Sequence, residues 1–130
     1  MISYQRIDTF PLPFPVLNYL DQAIKRTPAT VSKIEDVIRA AMQQNGVIYA
    51  VLSDGDVIGA IYLRRYVRTI CPVLIGGKNM EKWGFYEFMY KLCKESGIEK
   101  VQWIGRKGWK GLFPKSSVIG HVYEHEVNAY

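Results

Sequence analysis

The segment formed by residues 71–109 constrains the fold of this chain more than any other part of the sequence. An apolar run at residues 71–75 meets a Gly-Gly pair, a helical pattern continues to Gly97, and a second apolar run occupies residues 101–104. Strand, glycine turn, helix and strand form a crossover unit, which places two parallel strands side by side under a packed helix. In such a unit the loop after the first strand commonly binds a ligand, because backbone N–H groups point outward there.

The long helix of this unit, predicted over residues 81–96, has one apolar face. Its apolar side chains follow the i, i+3, i+4, i+7 spacing of a helix that packs on a sheet, and they are Phe85, Phe88, Met89, Leu92 and Cys93. A second stripe is aromatic and consists of Trp83, Tyr86 and Tyr90. We interpret it as cover for neighbouring loops; the alternative is a partner surface, where Trp and Tyr are enriched.

The segment before the unit predicts one strand and two helices. Alternating apolar residues indicate a strand at residues 2–7. A short helix starts near Pro15, since proline is tolerated in a first helical turn. The second helix begins with a Ser32–Glu35 capping box and ends at Asn45-Gly46.

The remaining segments predict antiparallel strands around the unit. Asp54-Gly55 indicates a tight hairpin turn, and Gly59 in the returning strand indicates a bulge or the close approach of another element. The strand before the long helix is almost entirely apolar, as in a strand buried on both faces. Residues 118–127 predict a final antiparallel strand. We therefore predict a single α/β domain over residues 1–130, with a central mixed sheet of about six strands and helices on both faces.

Composition and charge set weaker limits on function. The 130 residues are 48% hydrophobic and 22% charged, which is typical of a folded domain. The net charge of +5 favours anionic partners about as well as it favours a solvated basic surface. The two cysteines form no C-x-x-C motif, which indicates a reducing compartment. No apolar window is long enough to span a membrane and no signal-peptide pattern is present, so we predict a cytoplasmic protein without membrane contact.

The sequence carries no metal or nucleophile motif, and we predict no metal. His121 and His125 are four residues apart on a predicted strand, which is not the helical spacing of a metal pair. Arg64, Arg65 and Arg68 form a basic edge, and such clusters are more often solvated than anion-binding.

The predicted order of elements resembles the GNAT superfamily of acyl-CoA-dependent N-acetyltransferases over nearly the whole chain. It looks closest to the small GNAT-like proteins of bacteriophages. The similarity is carried by an aliphatic strand that ends in glycines, by Trp83 near the helix start, and by a G-R-x-G-W stretch at residues 105–109. The resemblance implies acetyl-CoA as cofactor. It also implies a location in the host cytoplasm or, for a structural component, in a phage particle.

The resemblance also implies a cofactor loop between the first strand and the long helix. In the superfamily, backbone amides of a glycine-rich loop bind the pyrophosphate. Here Glu81 and Trp83 occupy the part of the loop that the family keeps bare, so the loop departs from the pattern and Trp83 is expected where the ligand would lie. The residues that the resemblance assigns to acetyl-CoA binding are Leu74, Ile75, Gly76, Lys78, Lys82 and Gly84.

The resemblance assigns no catalytic residue. The family usually protonates the leaving thiolate with a tyrosine in the short helix after the crossover strand, and here that stretch holds Phe113, which has no proton to donate. Arg106 and Trp109 lie in the same region. Arg106 is open to two roles, an anion contact or a bond that holds its loop, and Trp109 is expected to pack under the sheet edge.

Three functions of different classes follow from the sequence. The first is an acetyl-CoA-dependent N-acetyltransferase that acts on an amine. The second is a catalytically silent GNAT-like component of a phage particle, with phage structural proteins or a second copy of the chain as partners; the departing loop and the missing tyrosine favour it. The third is a nucleic-acid-binding accessory protein, which rests on charge alone.

Overall fold

The computed structural model describes residues 1–26, 33–43, 46–104, 117–119 and 122–126, with side chains up to residue 102. The elements follow one another as β1 (Ile2–Ile7), α1 (Phe14–Arg26), α2 (Ile34–Met42), β2 (Gly46–Ser53), β3 (Asp56–Arg65), β4 (Thr69–Gly77), a 3-10 turn (Met80–Lys82), α3 (Phe85–Ser96), β5 (Lys100–Ile104), β6 (Ser117–Ile119) and β7 (Val122–Glu126).

These strands form one mixed sheet in the order β1-β2-β3-β4-β5-β7-β6. Strands β1 to β4 are antiparallel, β4 and β5 are parallel, and the C-terminal strands return antiparallel to β5. The predicted fold class is confirmed. Within the described residues the sheet has seven strands rather than about six, because the segment predicted as one final strand contributes two antiparallel strands, β6 and β7, in which Ile119 pairs with Val122.

Helices cover both faces of the sheet, as predicted. Helices α1 and α2 pack on one face, where they meet alternate residues of β2 and β3 such as Ile48 and Ala60. Helix α3 packs on the opposite face against the intervening residues, such as Val51 and Ile61. Both cores include fully buried side chains, among them Val16, Leu20, Val37, Leu74 and Met89.

The two N-terminal helices differ in how well the sequence predicted their starts. Helix α1 begins at Phe14 with Pro15 in its first turn, as expected. Helix α2 begins at Ile34, after Lys33, which makes no side-chain capping bond. Ser32, the first residue of the predicted capping box, lies outside the described residues. Among the residues that the structure describes, no helix is long and apolar enough to cross a membrane.

Two β-bulges shape the centre of the sheet. The β2–β3 pairing jumps from Gly59 to Val57, which leaves Ile58 as the extra residue, and the β3–β4 pairing jumps from Leu74 to Pro72, which leaves Val73. The first bulge confirms the prediction made from Gly59. The second bulge lies next to Pro72, which has no backbone N–H to donate to the ladder of hydrogen bonds.

The two cysteines differ in element and in burial. Both thiols are free; Cys93 is fully buried on α3 and Cys71 is half-buried on β4. Burial raises the pKa of the Cys93 thiol to about 11. Burial likewise raises the pKa of Tyr49 and of Tyr62.

We expect the protein to lose thermal stability at alkaline pH, in part through Cys93. Its folded-state pKa lies above its unfolded value, so the stability is fully present below the ordinary thiol pKa and is lost as pH rises toward about 11. The variant Cys93→Ala should show a smaller decrease of Tm across this range. Met89→Ala, which removes packing from the same helix face but no ionisable group, should keep the wild-type decrease. Equal pH dependence in Cys93→Ala and wild type would contradict the assignment.

Candidate functional site

The parallel strands β4 and β5 pair at one end only. Thr69 faces Lys100 and Ile70 faces Val101, and beyond this point no pairing joins the two strands within the described residues. Strand β4 nevertheless continues to Gly77, held by β3 on its other side, and β5 continues to Ile104, held by β7. The two strands therefore diverge. Backbone N–H and C=O groups along the facing edges are left for a ligand to bind.

The side chains of β4 beside this opening point to the two faces of the sheet. They alternate between buried and half-buried, and the half-buried ones past the last pair with β5 are Cys71, Val73 and Ile75. Both faces of this strand are packed, as predicted: Leu74 is buried in the core under α1, and Ile75 packs partly against the core under α3. Among the described residues, only one edge of β4 is paired with a neighbouring strand beyond Ile70.

The predicted cofactor residues of β4 can contribute little more than backbone. The side chain of Leu74 has no exposed surface, because it is buried in the core under α1. Ile75 packs partly against the core under α3. Gly76 lies against the carbonyl group of Tyr19 in α1, so a Cβ atom there would overlap it. A ligand in the opening would meet these residues through amide and carbonyl groups.

The predicted cofactor residues of the loop lie together at the end of the opening. Lys78 and Lys82 are exposed, and Gly84 precedes the first turn of α3 with φ +63°. The predicted helix start at residue 81 is wrong: residues 80–82 form a 3-10 turn, and the left-handed Gly84 separates it from α3. The start of α3 thus presents the positive end of a helix beside two lysines, which suits an anion.

Trp83 is not where the sequence predicted it. Its side chain is only 3% exposed and packs into the core on the α3 face of the sheet. The ring lies over Gly59 and Gly77; a Cβ atom on Gly77 would come within 2.7 Å of it, and one on Gly59 would overlap it. The bulky side chain therefore leaves the outer surface of the loop to the backbone and to the exposed polar residues. Glu81 is exposed there, as expected.

Tyr4 is a residue of this site that the sequence did not indicate. Its hydroxyl group donates a 2.7 Å hydrogen bond to the carbonyl oxygen of Trp83, 79 residues away in the chain. The ring of Tyr4 is stacked on Phe88 of α3, with centroids 3.9 Å apart. Gly59, for which the sequence predicted a bulge or the close approach of another element, is approached by the ring of Trp83 and gave no signal for Tyr4.

A concavity of about 460 Å³ lies on the other side of Gly84, between β1 and α3. The charged residues in its wall are Glu87, Lys91 and Glu95. Two carboxylates against one ammonium make this concavity a poorer anion site than the outer surface of the loop, where Lys78, Lys82 and Glu81 are exposed. Glu87 belongs to the concavity, although its Oε2 lies 3.5 Å from the Cβ position of Gly84.

The basic edge predicted at Arg64, Arg65 and Arg68 lies at the opposite end of β4: Arg64 and Arg65 end β3, and Arg68 lies in the turn that follows. Arg65 donates to the carbonyl oxygen of Ser96 at 3.2 Å, and Arg68 lies 3.3 Å from a carboxylate oxygen of Glu99. Arg64 lies 6.0 Å from the ring centroid of Tyr66. Each guanidinium group thus has a local contact, and the nucleic-acid hypothesis gains no support from them.

Several sequence predictions fall on parts of the chain that the structure does not describe. Arg106, Trp109, Phe113 and His121 all lie outside the described residues. His125 lies on β7, where it pairs with Val101 of β5. No group of histidine, cysteine and acidic residues that could hold a metal is found among the described residues.

Comparison with protein-family models and with curated protein sequences finds no match. Among solved structures, a ribosomal-protein alanine N-acetyltransferase from Escherichia coli superposes with a TM-score of 0.70 at 10% identity, over 100% of this chain and 99% of that one. Gcn5 from Tetrahymena superposes with a TM-score of 0.65 at 15% identity, over 98% of both chains. A GNAT family acetyltransferase from Elizabethkingia anophelis with acetyl-CoA bound superposes with a TM-score of 0.63 at 14% identity, over 96% of this chain and 97% of that one. At these identities the likeness shows the fold alone, and the fold of this chain is that of the GNAT acetyltransferases.

Proposed function

We propose that this chain binds acetyl-CoA. The acyl-pantetheine arm lies in the opening between β4 and β5, and the pyrophosphate lies against the outer surface of the loop at residues 78–84. The observation that carries the proposal is the parallel ladder that stops at Ile70 and Val101 and opens toward two lysines and a helix start. Proteins of the same fold support it, since one is described with acetyl-CoA bound and another, from Thermoplasma acidophilum, with coenzyme A.

The chemistry of each end of the proposed site fits one part of the ligand. The diverging strand edges offer amide and carbonyl groups, which match the two amides of a pantetheine arm. The loop offers two ammonium groups and the positive end of α3, which match a pyrophosphate. The inward position of Trp83 removes the steric objection that the sequence raised against this loop.

The proposed activity is acetyl transfer to an amine. In that reaction the amine nitrogen attacks the thioester carbonyl, a C–N bond forms and the nitrogen gives up a proton to water or a general base. The C–S bond then breaks, and the thiolate that leaves takes up a proton from solvent or from a general acid. No catalytic residue is assigned within the described residues. The usual tyrosine position of the family falls on Phe113, so we expect slow turnover with protonation by water.

We expect acetyl-CoA to raise the Tm of the protein. A ligand that binds only the folded state stabilises it by about 2.7 kcal/mol at a hundredfold excess over Kd. The double variant Lys78→Ala/Lys82→Ala should bind acetyl-CoA about tenfold more weakly in calorimetric titration, because two charge-assisted contacts are lost. Lys91→Ala, which removes an exposed lysine of α3 outside the loop, is the matched control and should bind like the wild type. Wild-type protein whose Tm is unchanged at millimolar acetyl-CoA would refute the proposal.

A second candidate function is the catalytically silent component of a phage particle in the host cytoplasm. The G-R-x-G-W stretch and Phe113, both features of the sequence, favour it. It is distinguished by its partners: the chain would sediment with assembled particles or form a stoichiometric oligomer, whereas a free enzyme would remain monodisperse and turn over acetyl-CoA. If the chain neither sediments with assembled particles nor forms a stoichiometric oligomer, the second candidate is refuted.

A further inference from the structure

We propose that Trp83 and Tyr4 are positioning residues that hold the loop at residues 78–84 in the conformation that receives the pyrophosphate. The inference rests on the proposed acetyl-CoA binding and goes beyond it, because neither side chain touches the proposed ligand. We call the arrangement the Trp83 anchor: the indole of Trp83, the carbonyl of Lys78, the hydroxyl of Tyr4, and the bare backbone of Gly59 and Gly77.

The anchor joins the two ends of the loop. The indole N–H of Trp83 donates a 2.8 Å hydrogen bond to the carbonyl oxygen of Lys78, five residues earlier. The backbone N–H of Lys78 in turn donates to the carbonyl oxygen of Ile58 in β3 at 2.9 Å. The first residue of the loop is thereby bonded on both sides, to the sheet and to the last bulky residue of the loop itself.

The Tyr4 hydroxyl fixes the other end of the loop to β1. It donates to the carbonyl oxygen of Trp83 at 2.7 Å, and its ring is held by stacking on Phe88. Burial and the nearby carboxylate of Glu87 raise the pKa of Tyr4. The hydroxyl therefore remains a proton donor throughout the neutral range, and the bond is not lost with ordinary changes of pH.

The loop needs such support because its own hydrogen bonds are few. The 3-10 turn is closed by the amides of Lys82 and Trp83, which donate to Asn79 and Met80. Asn79 and Gly84 take left-handed conformations, a combination that a short isolated segment does not hold by itself. All loop side chains except Trp83 are exposed, so packing against the rest of the protein comes from that one indole.

The anchor has a direct consequence for ligand binding. With the indole turned into the core, Lys78, Lys82 and the start of α3 face solvent together before any ligand arrives. A loop that is already in its binding conformation avoids the ordering cost that a mobile loop meets on binding. Binding of the pyrophosphate, which contacts this loop in our proposal, should therefore depend on the anchor. Binding of the pantetheine arm, which contacts only the strand edges, should not.

Tyr4→Phe separates a hydrogen bond of the anchor from its packing, because it keeps the ring on Phe88 and removes only the hydroxyl donor. Trp83→Phe removes the indole N–H together with Cζ2 and Cη2, the ring atoms that lie against Gly59 and Gly77, and so tests the hydrogen bond and the packing of the indole at once. Tyr90→Phe, which removes a hydroxyl from a half-buried tyrosine of α3 outside the anchor, is the matched control.

The test compares two ligands by calorimetric titration: acetyl-CoA, and S-acetylpantetheine, which lacks the pyrophosphate and the nucleotide. We expect Tyr4→Phe and Trp83→Phe each to weaken acetyl-CoA binding about fivefold, the usual effect of one hydrogen bond, and to leave S-acetylpantetheine binding unchanged. Amide hydrogen exchange over residues 78–84 should accelerate in both variants without ligand, and Tyr90→Phe should match the wild type in every measurement.

The outcomes distinguish this inference from the proposed function. Wild-type protein that does not bind acetyl-CoA refutes the proposed function and, with it, the positioning role. If the wild type binds and the variants bind both ligands as tightly, the anchor has no role in binding and the inference alone fails. Equal weakening with both ligands also overturns it, because that result indicates a general loss of structure.

Discussion

Replacement of Gly76 by alanine is expected to lower the free energy of unfolding by about 3 kcal/mol, at the upper end of what overpacking usually costs. The added Cβ atom would overlap the backbone carbonyl group of Tyr19, and it would lie 3.3 Å from the Cβ atom of Ala23. A backbone carbonyl inside a helix cannot rotate away, so α1 as a whole would have to move off β4. Urea or thermal denaturation of the variant measures the loss.

The control for this prediction is Gly97→Ala, at the C-terminal end of α3. Gly97 has φ +69° and open space around it, so alanine there costs only the left-handed conformation, about 1 kcal/mol. The comparison separates steric overlap from backbone conformation. If Gly76→Ala is no more destabilising than Gly97→Ala, the close approach of α1 to β4 is not as we describe it.

The second large effect is expected for Leu74→Ala, which should destabilise the protein by about 3 kcal/mol through the cavity that it leaves. The side chain has no exposed surface and lies in the core under α1 with Val16 and Leu20. If acetyl-CoA meets Leu74 only through its backbone, as we propose, the folded variant should keep the wild-type affinity for acetyl-CoA. Denaturation and calorimetric titration of the same sample measure the two effects.

Leu17→Ala is the matched control, because Leu17 is a half-buried leucine of α1 packed at the border of the same core. It should cost clearly less, since less apolar surface returns to water. A Leu74→Ala variant that remains as stable as Leu17→Ala but loses acetyl-CoA affinity would show that the leucine side chain contacts the ligand after all.

Much of the fold could be predicted because its signals are local. The hairpin at Asp54-Gly55, the glycine that ends α3 and the apolar stripe from Phe85 to Cys93 each depend on residues that are close in sequence. The errors also have local causes. Residues 80–82 have an ordinary helical composition, so the sequence predicts that α3 starts at residue 81 rather than at Phe85, where it begins. The left-handed conformation of Gly84 is not visible in the apolar pattern.

The geometry of the candidate site could not be predicted from the sequence. Lys78, Lys82 and Gly84 were assigned to one loop and are exposed there, and their role in binding stays a prediction. The roles of Leu74 and Trp83 were not predictable, because the direction of a side chain depends on distant residues that make room for it. The glycine that makes room for Trp83 is Gly59, on another strand, and the hydroxyl that bonds its carbonyl belongs to Tyr4 near the start of the chain.

By itself the sequence determined the order of the elements, the crossover unit and the position of its glycine loop, since apolar periodicity and turn residues act over a few residues. Only the tertiary structure decided two things that matter for function. One is the divergence of β4 and β5 after Ile70 and Val101, which depends on how each strand is held by its other neighbour. The other is the inward position of Trp83, which requires Gly59 and Tyr4 to meet the loop from strands far away in the sequence.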